Sequence, residues 1–391
     1  MKRFSAQYII TNSGPLLKRA VISTEDDGRI INIEDTKGNI KEEYSLKFHN
    51  GIIIPGFVNC HCHLELSHMK SSIDRSGGLG DFIEKVRNTR NKNNEIIISS
   101  AYQADNDMYR KGVVLCADIC NTSLSFDIKK KSRIRYINLL EVFGIDPGKA
   151  IQRLNEIIKV SERAEEMNLP YSIIPHSVYS MSLSLFNLLK DLTEKNNITS
   201  IHFMETAGEM LFLENHTGPL IKSYKKSGLI PSHLETVKSH VDAVMHVITR
   251  NGSLILVHNT YIKKETIKSI KKREKLFWCL CPNSNIYIEN KLPPLNLLLE
   301  EDCEIVIGTD SLASNNKLDI LEELKILQLN FPSLSIGELV QWATINGAKA
   351  LGEEDDYGKI ETGKKPGLLL LQNVDLLNMK LLPDSFVTRL I

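Results

Sequence analysis

The stretch Gly51-Ile-Ile-Ile-Pro-Gly-Phe-Val-Asn-Cys-His-Cys-His-Leu-Glu65 runs an apolar, β-branched segment into two histidines one residue apart. A run of this kind reads as a buried strand, and the polar residues at its end mark the handover to a loop. The same pattern recurs seven more times before residue 345, each run followed by a longer stretch with helical spacing. The ends of the eight runs fall near His61–His63, Asp118, Glu141, His176, His202, His258, Cys281 and Asp310. Helices are expected over Leu79–Thr89, Lys149–Met167, Leu183–Lys195, His233–Thr249 and Leu318–Asn330. Eight strand–helix units in series predict an α/β fold, a (β/α)8 TIM barrel whose buried parallel strands read as continuous apolar runs.

Outward from the barrel the pattern changes. Residues 1–50 show short alternating strands and turns such as Glu25-Asp-Asp-Gly28, and Gly358–Gly367 followed by LLLLQNVD looks like their counterpart. The expectation is a small β-sandwich-like domain built from both chain ends, with residues 1–54 and 358–391 contributing and the barrel, 55–357, inserted between them.

Hydrophobic residues make up 42% of the 391 positions and charged residues 25%, the composition of a globular protein with ample core rather than a disordered one. Lys+Arg and Asp+Glu both total 48, so the formal charge is zero and gives no basis for a nucleic-acid or anionic-membrane partner. No apolar run approaches the roughly 20 residues of a membrane span. Polar residues break the N-terminal apolar stretch, so it does not read as a signal peptide, and a cytoplasmic location is expected. Seven cysteines, mostly inside apolar segments, argue against a disulfide framework.

Chemistry is expected where barrel strands end. His61 and His63 project from one face of a strand, placed to chelate one metal ion, while Cys60 and Cys62 are expected on the opposite face, toward the helical shell. His202, ending the fifth run, offers a third imidazole, with Glu205 just beyond it. Asp310, ending the eighth, adds a carboxylate able to bind the ion and take a proton from its water. Three histidines and an acid suit zinc, with iron and manganese as alternatives.

Taken together, PGFVNCHCHLE, PHSVYS, HFMETAGE, LVHN, LCPNSN, GTDSLASNN and ELVQWATINGAKALG resemble the amidohydrolase superfamily. The resemblance is to its nucleobase and nucleoside deaminase and chlorohydrolase branch, with HLELS and GTDSLASNN similar to aminodeoxyfutalosine deaminases. It implies one divalent ion on His61, His63, His202 and Asp310. A second ion would call for a lysine at the fourth strand's end. His176 stands there instead and is expected to face the substrate.

The implied reaction is hydrolytic deamination of an aminated heterocycle or nucleoside, such as aminodeoxyfutalosine or a compound like S-adenosylhomocysteine. Asp310 takes the proton of the attacking water, His258 orients the oxygen, and Glu205 protonates a ring nitrogen. Glu65, His176, Ser311 and Asn315 are the expected substrate contacts, with Glu141, Asn259 and Asn283 as further candidates by position. A loop beginning at Gly77 and including Phe82 is read as a lid. Glu209 and His216 are read as exposed, and Lys263–Arg273 as an outer helix face around Ile267 and Ile270. Two alternatives stay open: a dechlorinase or cyclic-amidine or amide hydrolase of the same kind, and a non-catalytic barrel that binds a small molecule. Many relatives being dimers, the resemblance also implies a homodimer.

Overall fold

The structure, a computed structural model, describes residues 1–41, 43, 45–75, 78–229, 234–247 and 251–391. Its strands are β1 (Lys2–Ile9), β2 (Leu17–Lys18), β3 (Val21–Thr24), β4 (Ile30–Glu34), β5 (Leu46–Pro55), β6 (Phe57–Cys62), β7 (Val113–Cys120) and β8 (Arg135–Val142). They continue with β9 (Tyr171–Pro175), β10 (Ile198–Phe203), β11 (Ser253–His258), β12 (Leu276–Leu280), β13 (Glu304–Ile307), β14 (Leu368–Asp375) and β15 (Lys380–Arg389).

Strands β6 to β13 are the eight expected runs, and all neighbouring pairs within them are parallel. They form two four-stranded halves, β6-β7-β8-β9 and β10-β11-β12-β13. Two short bridges join the halves into a ring, Ser177 to His202 on one side and Cys62 to Asp310 on the other. Each seam is reinforced at a residue singled out by the sequence. His176 O accepts the His202 N–H at 2.9 Å, and His61 O accepts both the Thr309 and Asp310 amides, at 2.9 and 3.0 Å.

Apolar residues contributed by all eight strands, among them Val58, Leu115, Ile137, Ile174, Ile255 and Val306, fill the barrel interior. Ala348 and Leu351, of the chain that follows helix Ile336–Ala343, join the same cluster and close its floor. Alternate strand residues such as Cys116, Leu140, Phe203 and Trp278 pack outward against the helices. This two-sided burial explains why the strands read as unbroken apolar runs.

Strands from both chain ends share one seven-stranded sheet, in the order β15-β14-β5-β1-β3-β4 with β2 beside β1. The sandwich-like domain expected from the sequence takes this single-sheet form, with a core of Phe4, Ile22, Ile53, Ile360 and Leu370 on it. β5 runs parallel to β1 and antiparallel to β14, then leads directly into β6.

Two expectations are corrected. Cys60 does not face the helical shell. It lies in the barrel interior with Val58 and Cys279, while Cys62 lies in the shell with its sulfur 4.0 Å from that of Met108. The β6–β7 register shifts between Asn59 and Cys62, so strict alternation fails there. The helix expected over His233–Thr249 occupies His240–His246. Residues 234–239 precede it without helix, and 233, 248 and 249 lie outside the described residues. The other expected helices are found within two residues of their expected bounds. Among the described residues no helix is long and apolar enough to cross a membrane.

Gly308 sits at the second seam, where a Cβ would come within 2.7 Å of His61 Cβ and 2.9 Å of Cys279 Sγ. Gly308→Ala should therefore cost about 1–3 kcal/mol by overpacking. The expected readout is a lowered urea midpoint with an unchanged m-value.

Candidate active site

The C-terminal mouth of the barrel gathers the side chains that the sequence spread over 250 residues. His61 and His63 bring their Nε2 atoms to 3.2 Å, and Asp310 Oδ1 lies 3.7 Å from the first and 3.4 Å from the second. His202 completes the trio, one ring nitrogen from each imidazole lying within 4.8 Å of the others. The tautomer of His202 follows from its partner: a carbonyl only accepts, so Nδ1–H donates to His176 O at 2.8 Å and Nε2 carries the lone pair. Burial pushes the pKa values of His63 and His202 well below the ordinary imidazole value, which favours neutral rings. Electron-rich atoms this close, in a site that disfavours protonated rings, fit a divalent cation.

Asp310 is held in a left-handed conformation, φ 56°, just past the end of β13. The Ser284 and Ser314 hydroxyls both donate to its Oδ2 at 2.6 Å, which turns Oδ1 toward the histidines. Asn315 was expected to touch substrate. It instead braces this loop, its Nδ2 donating to Thr309 O at 2.9 Å and Glu323 Oε1 at 2.7 Å. Ser311 does reach the cavity wall.

Glu205 is buried beside His258, with the Tyr179 hydroxyl donating to Oε2 at 3.0 Å and His258 Nε2 lying 3.7 Å from Oε1. Burial, reinforced by the charges of Glu209 and Asp310, pushes the Glu205 carboxyl well above the usual carboxylate range. Burial also lowers the His258 pKa to about 4, so this imidazole is neutral near pH 7. Glu209, read as exposed, is fully buried. Its carboxylate accepts the amides of Met204 and Glu205, at 3.2 and 2.7 Å, and pairs with His240 at 2.9 Å. The helix that starts after Thr206 turns it inward, which its place in the sequence did not reveal. His216 is exposed as expected.

His176 lines the cavity, stacked on His202 with centroids 4.5 Å apart, and burial lowers its pKa to about 4. Glu141 lies beside it, its Oε1 without a hydrogen-bond partner among the described residues and 3.8 Å from His202 Nδ1, and burial raises its pKa to about 7. Glu141, His176 and His202 make a second compact trio, but His202 already commits one nitrogen to the His176 carbonyl and turns the other toward His61 and His63. Glu65 lies in an adjoining cleft rather than in the wall of the central cavity. The Asn121 and Thr122 amides and the Thr122 hydroxyl donate to its carboxylate at 2.9 to 3.1 Å. Asn259 donates through Nδ2 to Leu256 O at 2.8 Å, while its buried Oδ1 has no hydrogen-bond partner among the described residues.

The cavity over the cluster measures about 410 Å³. Helix Gly78–Thr89 roofs it with Leu79, Phe82, Ile83 and Val86, while Arg87, Arg90, Lys149 and Arg153 share its wall with Glu141, Asp146, Glu205 and Asp310. The lid reading therefore applies to this helix, although its expected start at Gly77 lies outside the described residues. Tyr179, Ser284 and Ser314 were not singled out from the sequence. They sit inside the motifs PHSVYS, LCPNSN and GTDSLASNN, but only the fold shows which hydroxyl meets which carboxylate. A larger cleft of about 860 Å³ opens among residues at the N-terminal ends of the strands and holds none of these groups.

Known proteins share this fold. An adenosine deaminase of Helicobacter pylori is 27% identical over 354 residues, covering 88% of this chain and 85% of that protein. The crystal structure of Helicobacter pylori aminofutalosine deaminase in complex with methylthio-coformycin superposes with a TM-score of 0.77 at 23% identity, covering 96% of this chain and 93% of that one. An adenosine deaminase from Xanthomonas campestris with bound zinc gives a TM-score of 0.66 at 19% identity, covering 94% and 84%. At these identities the two structures establish the shared fold. The amidohydrolase family matches residues 52–387, most of the molecule, and the chain belongs to that family of divalent-metal hydrolases.

Proposed function

We propose that this protein is a metal-dependent hydrolase that deaminates an adenine-type nucleoside. The observation that carries the reading is the pairing of two buried carboxyl groups with opposite environments at one imidazole cluster. Asp310 receives two serine hydroxyls on one oxygen, while Glu205 is desolvated and receives one tyrosine hydroxyl. Pairs driven apart in this way divide into base and acid.

His61, His63, His202 and Asp310 are the residues that would hold the ion, with zinc favoured by the imidazole set and by the zinc-bound relative. When bound, a divalent ion supplies Lewis acidity that brings the pKa of water from about 15.7 toward 7. Asp310, its Oδ2 anchored by the two serines, accepts the proton of the attacking water. His258, neutral near pH 7, orients the attacking oxygen and steadies the charge that develops on it. Glu205 donates its proton to the ring nitrogen next to the carbon under attack, and proton delivery to the amino group lets ammonia depart.

His176 and Ser311 are the proposed substrate contacts in the cavity wall. Glu141 joins them, because its unpartnered buried oxygen calls for a hydrogen-bond donor on the ligand. The cavity lies in the range of about 300–1,000 Å³ seen for small-molecule sites. Its apolar roof suits a nucleoside with an apolar extension, and aminofutalosine is the candidate suggested by the relatives. A cytoplasmic location and a homodimer remain part of this proposal.

Metal-loaded protein should release ammonia from at least one of adenosine, 5′-deoxyadenosine, S-adenosylhomocysteine and aminofutalosine, and chelated protein from none. Silence across that panel with zinc bound would remove the deaminase reading. Glu205→Gln should keep its metal, measured by elemental analysis, and lose about 10²–10⁴-fold in kcat. Full turnover in that variant would contradict the acid role.

A further inference from the structure

Beneath the mouth of the barrel, away from the cavity, Asp118 on β7 and Lys129 on helix Phe126–Lys131 form an ion pair with both side chains wholly buried. Lys129 Nζ also donates to Cys120 Sγ and Asn138 Oδ1, each at 2.9 Å, and lies 5.6 Å from the ring centroids of Phe126 and Tyr136. Burial alone would lower the lysine pKa, but the adjacent Asp118 charge outweighs it and the ammonium is retained. An ion pair this deep returns little stability, because desolvation consumes most of the attraction. Its geometry has another product. Asp118 Oδ1 accepts the Leu64 N–H at 2.7 Å, and Leu64 directly follows His63. β6 ends at Cys62, and Leu64 opens the short helix Leu64–Met69, whose first N–H groups have no intrahelical acceptor, so this amide is received by a side chain rather than by a strand carbonyl.

We propose that Asp118, fixed by Lys129, is a positioning residue for the candidate metal site: it clamps the main chain at Leu64 and so aims His63 at His61 and Asp310. The proposal rests on reading His61, His63, His202 and Asp310 as the metal-holding set. The ion pair is the means of keeping a strong acceptor at a spot where the fold provides no backbone one. Lys129 neutralises the charge that this acceptor brings into the wall. Groups that orient ligands from behind in this way typically account for about 10–100-fold in metal affinity.

Two double variants separate positioning from bulk stability. Asp118→Asn with Lys129→Met, and Asp118→Leu with Lys129→Met, both remove the buried charges, but only the asparagine keeps an acceptor for Leu64. Zinc affinity is measured by competition with a chromophoric chelator, alongside circular dichroism and the unfolding midpoint of the metal-free proteins. The leucine variant should bind zinc about 10–100-fold more weakly than the asparagine variant, with the two spectra and midpoints alike. Equal zinc affinity in the two would overturn the proposal. A second measurement needs no variant: the Leu64 amide of the metal-free wild type should exchange its hydrogen slowly, and exchange at the rate of an open chain would also overturn it. If the wild type itself failed to bind zinc, the metal reading would fall and this proposal with it. Zinc bound equally by both variants would sink the positioning role alone.

Discussion

The closure of the barrel at two seams is the constraint on which the rest of the structure depends. Each half is a continuous four-stranded ladder, but the halves meet through the carbonyls of His61 and His176. Those two carbonyls receive the amides of Thr309, Asp310 and His202, so the bonds that make the ring also set the backbone of the chemical groups. His61 and His63 come from one half and His202 and Asp310 from the other. The site exists only when the ring is shut.

Around that closed ring, burial and hydrogen bonding give chemically similar side chains different tasks. Asp310 and Glu205 are both carboxyls near the same imidazoles. Two hydroxyls on one oxygen favour the charged form of the first, whereas desolvation and the neighbouring Glu209 charge favour the neutral form of the second. Glu65, also buried, is saturated by three donors from the Asn121–Thr122 turn and works as a brace. A carboxylate at the mouth of a barrel is thus committed by its donors, which come from remote parts of the chain.

Much of this was legible in the sequence, for a physical reason. Strands buried on both faces leave long apolar runs, and polar residues at their ends mark the active face, so the eight strands and the cluster of His61, His63, His202, Glu205, His258 and Asp310 could be read off directly. Side-chain direction could not. Period-two alternation misplaced Cys60 because the register shift in β6 interrupts it. Position at a strand end placed Glu65 and Asn315 near the substrate, although both spend their polar atoms on neighbouring loops. Glu209 read as an exposed position after the fifth strand until the fold supplied His240 and the amides of Met204 and Glu205. Each of these cases turns on a partner far away in sequence or on one irregular residue, and neither leaves a periodic trace.

The irregularity in β6 reaches beyond the site. All seven cysteines are free thiols, and six are buried, but Cys60 and Cys62 sit in different compartments, the first inside the ring and the second under the helical shell. A thiol reagent can reach neither while the fold is intact, and reactivity at each depends on a different opening event. Modification at Cys62 without Cys60 would report helices lifting from an unbroken ring, whereas modification at both would report the ring itself coming apart. The strand that carries the histidines thus holds two reporters, one on each side of His61, for distinguishing partial loosening from global collapse.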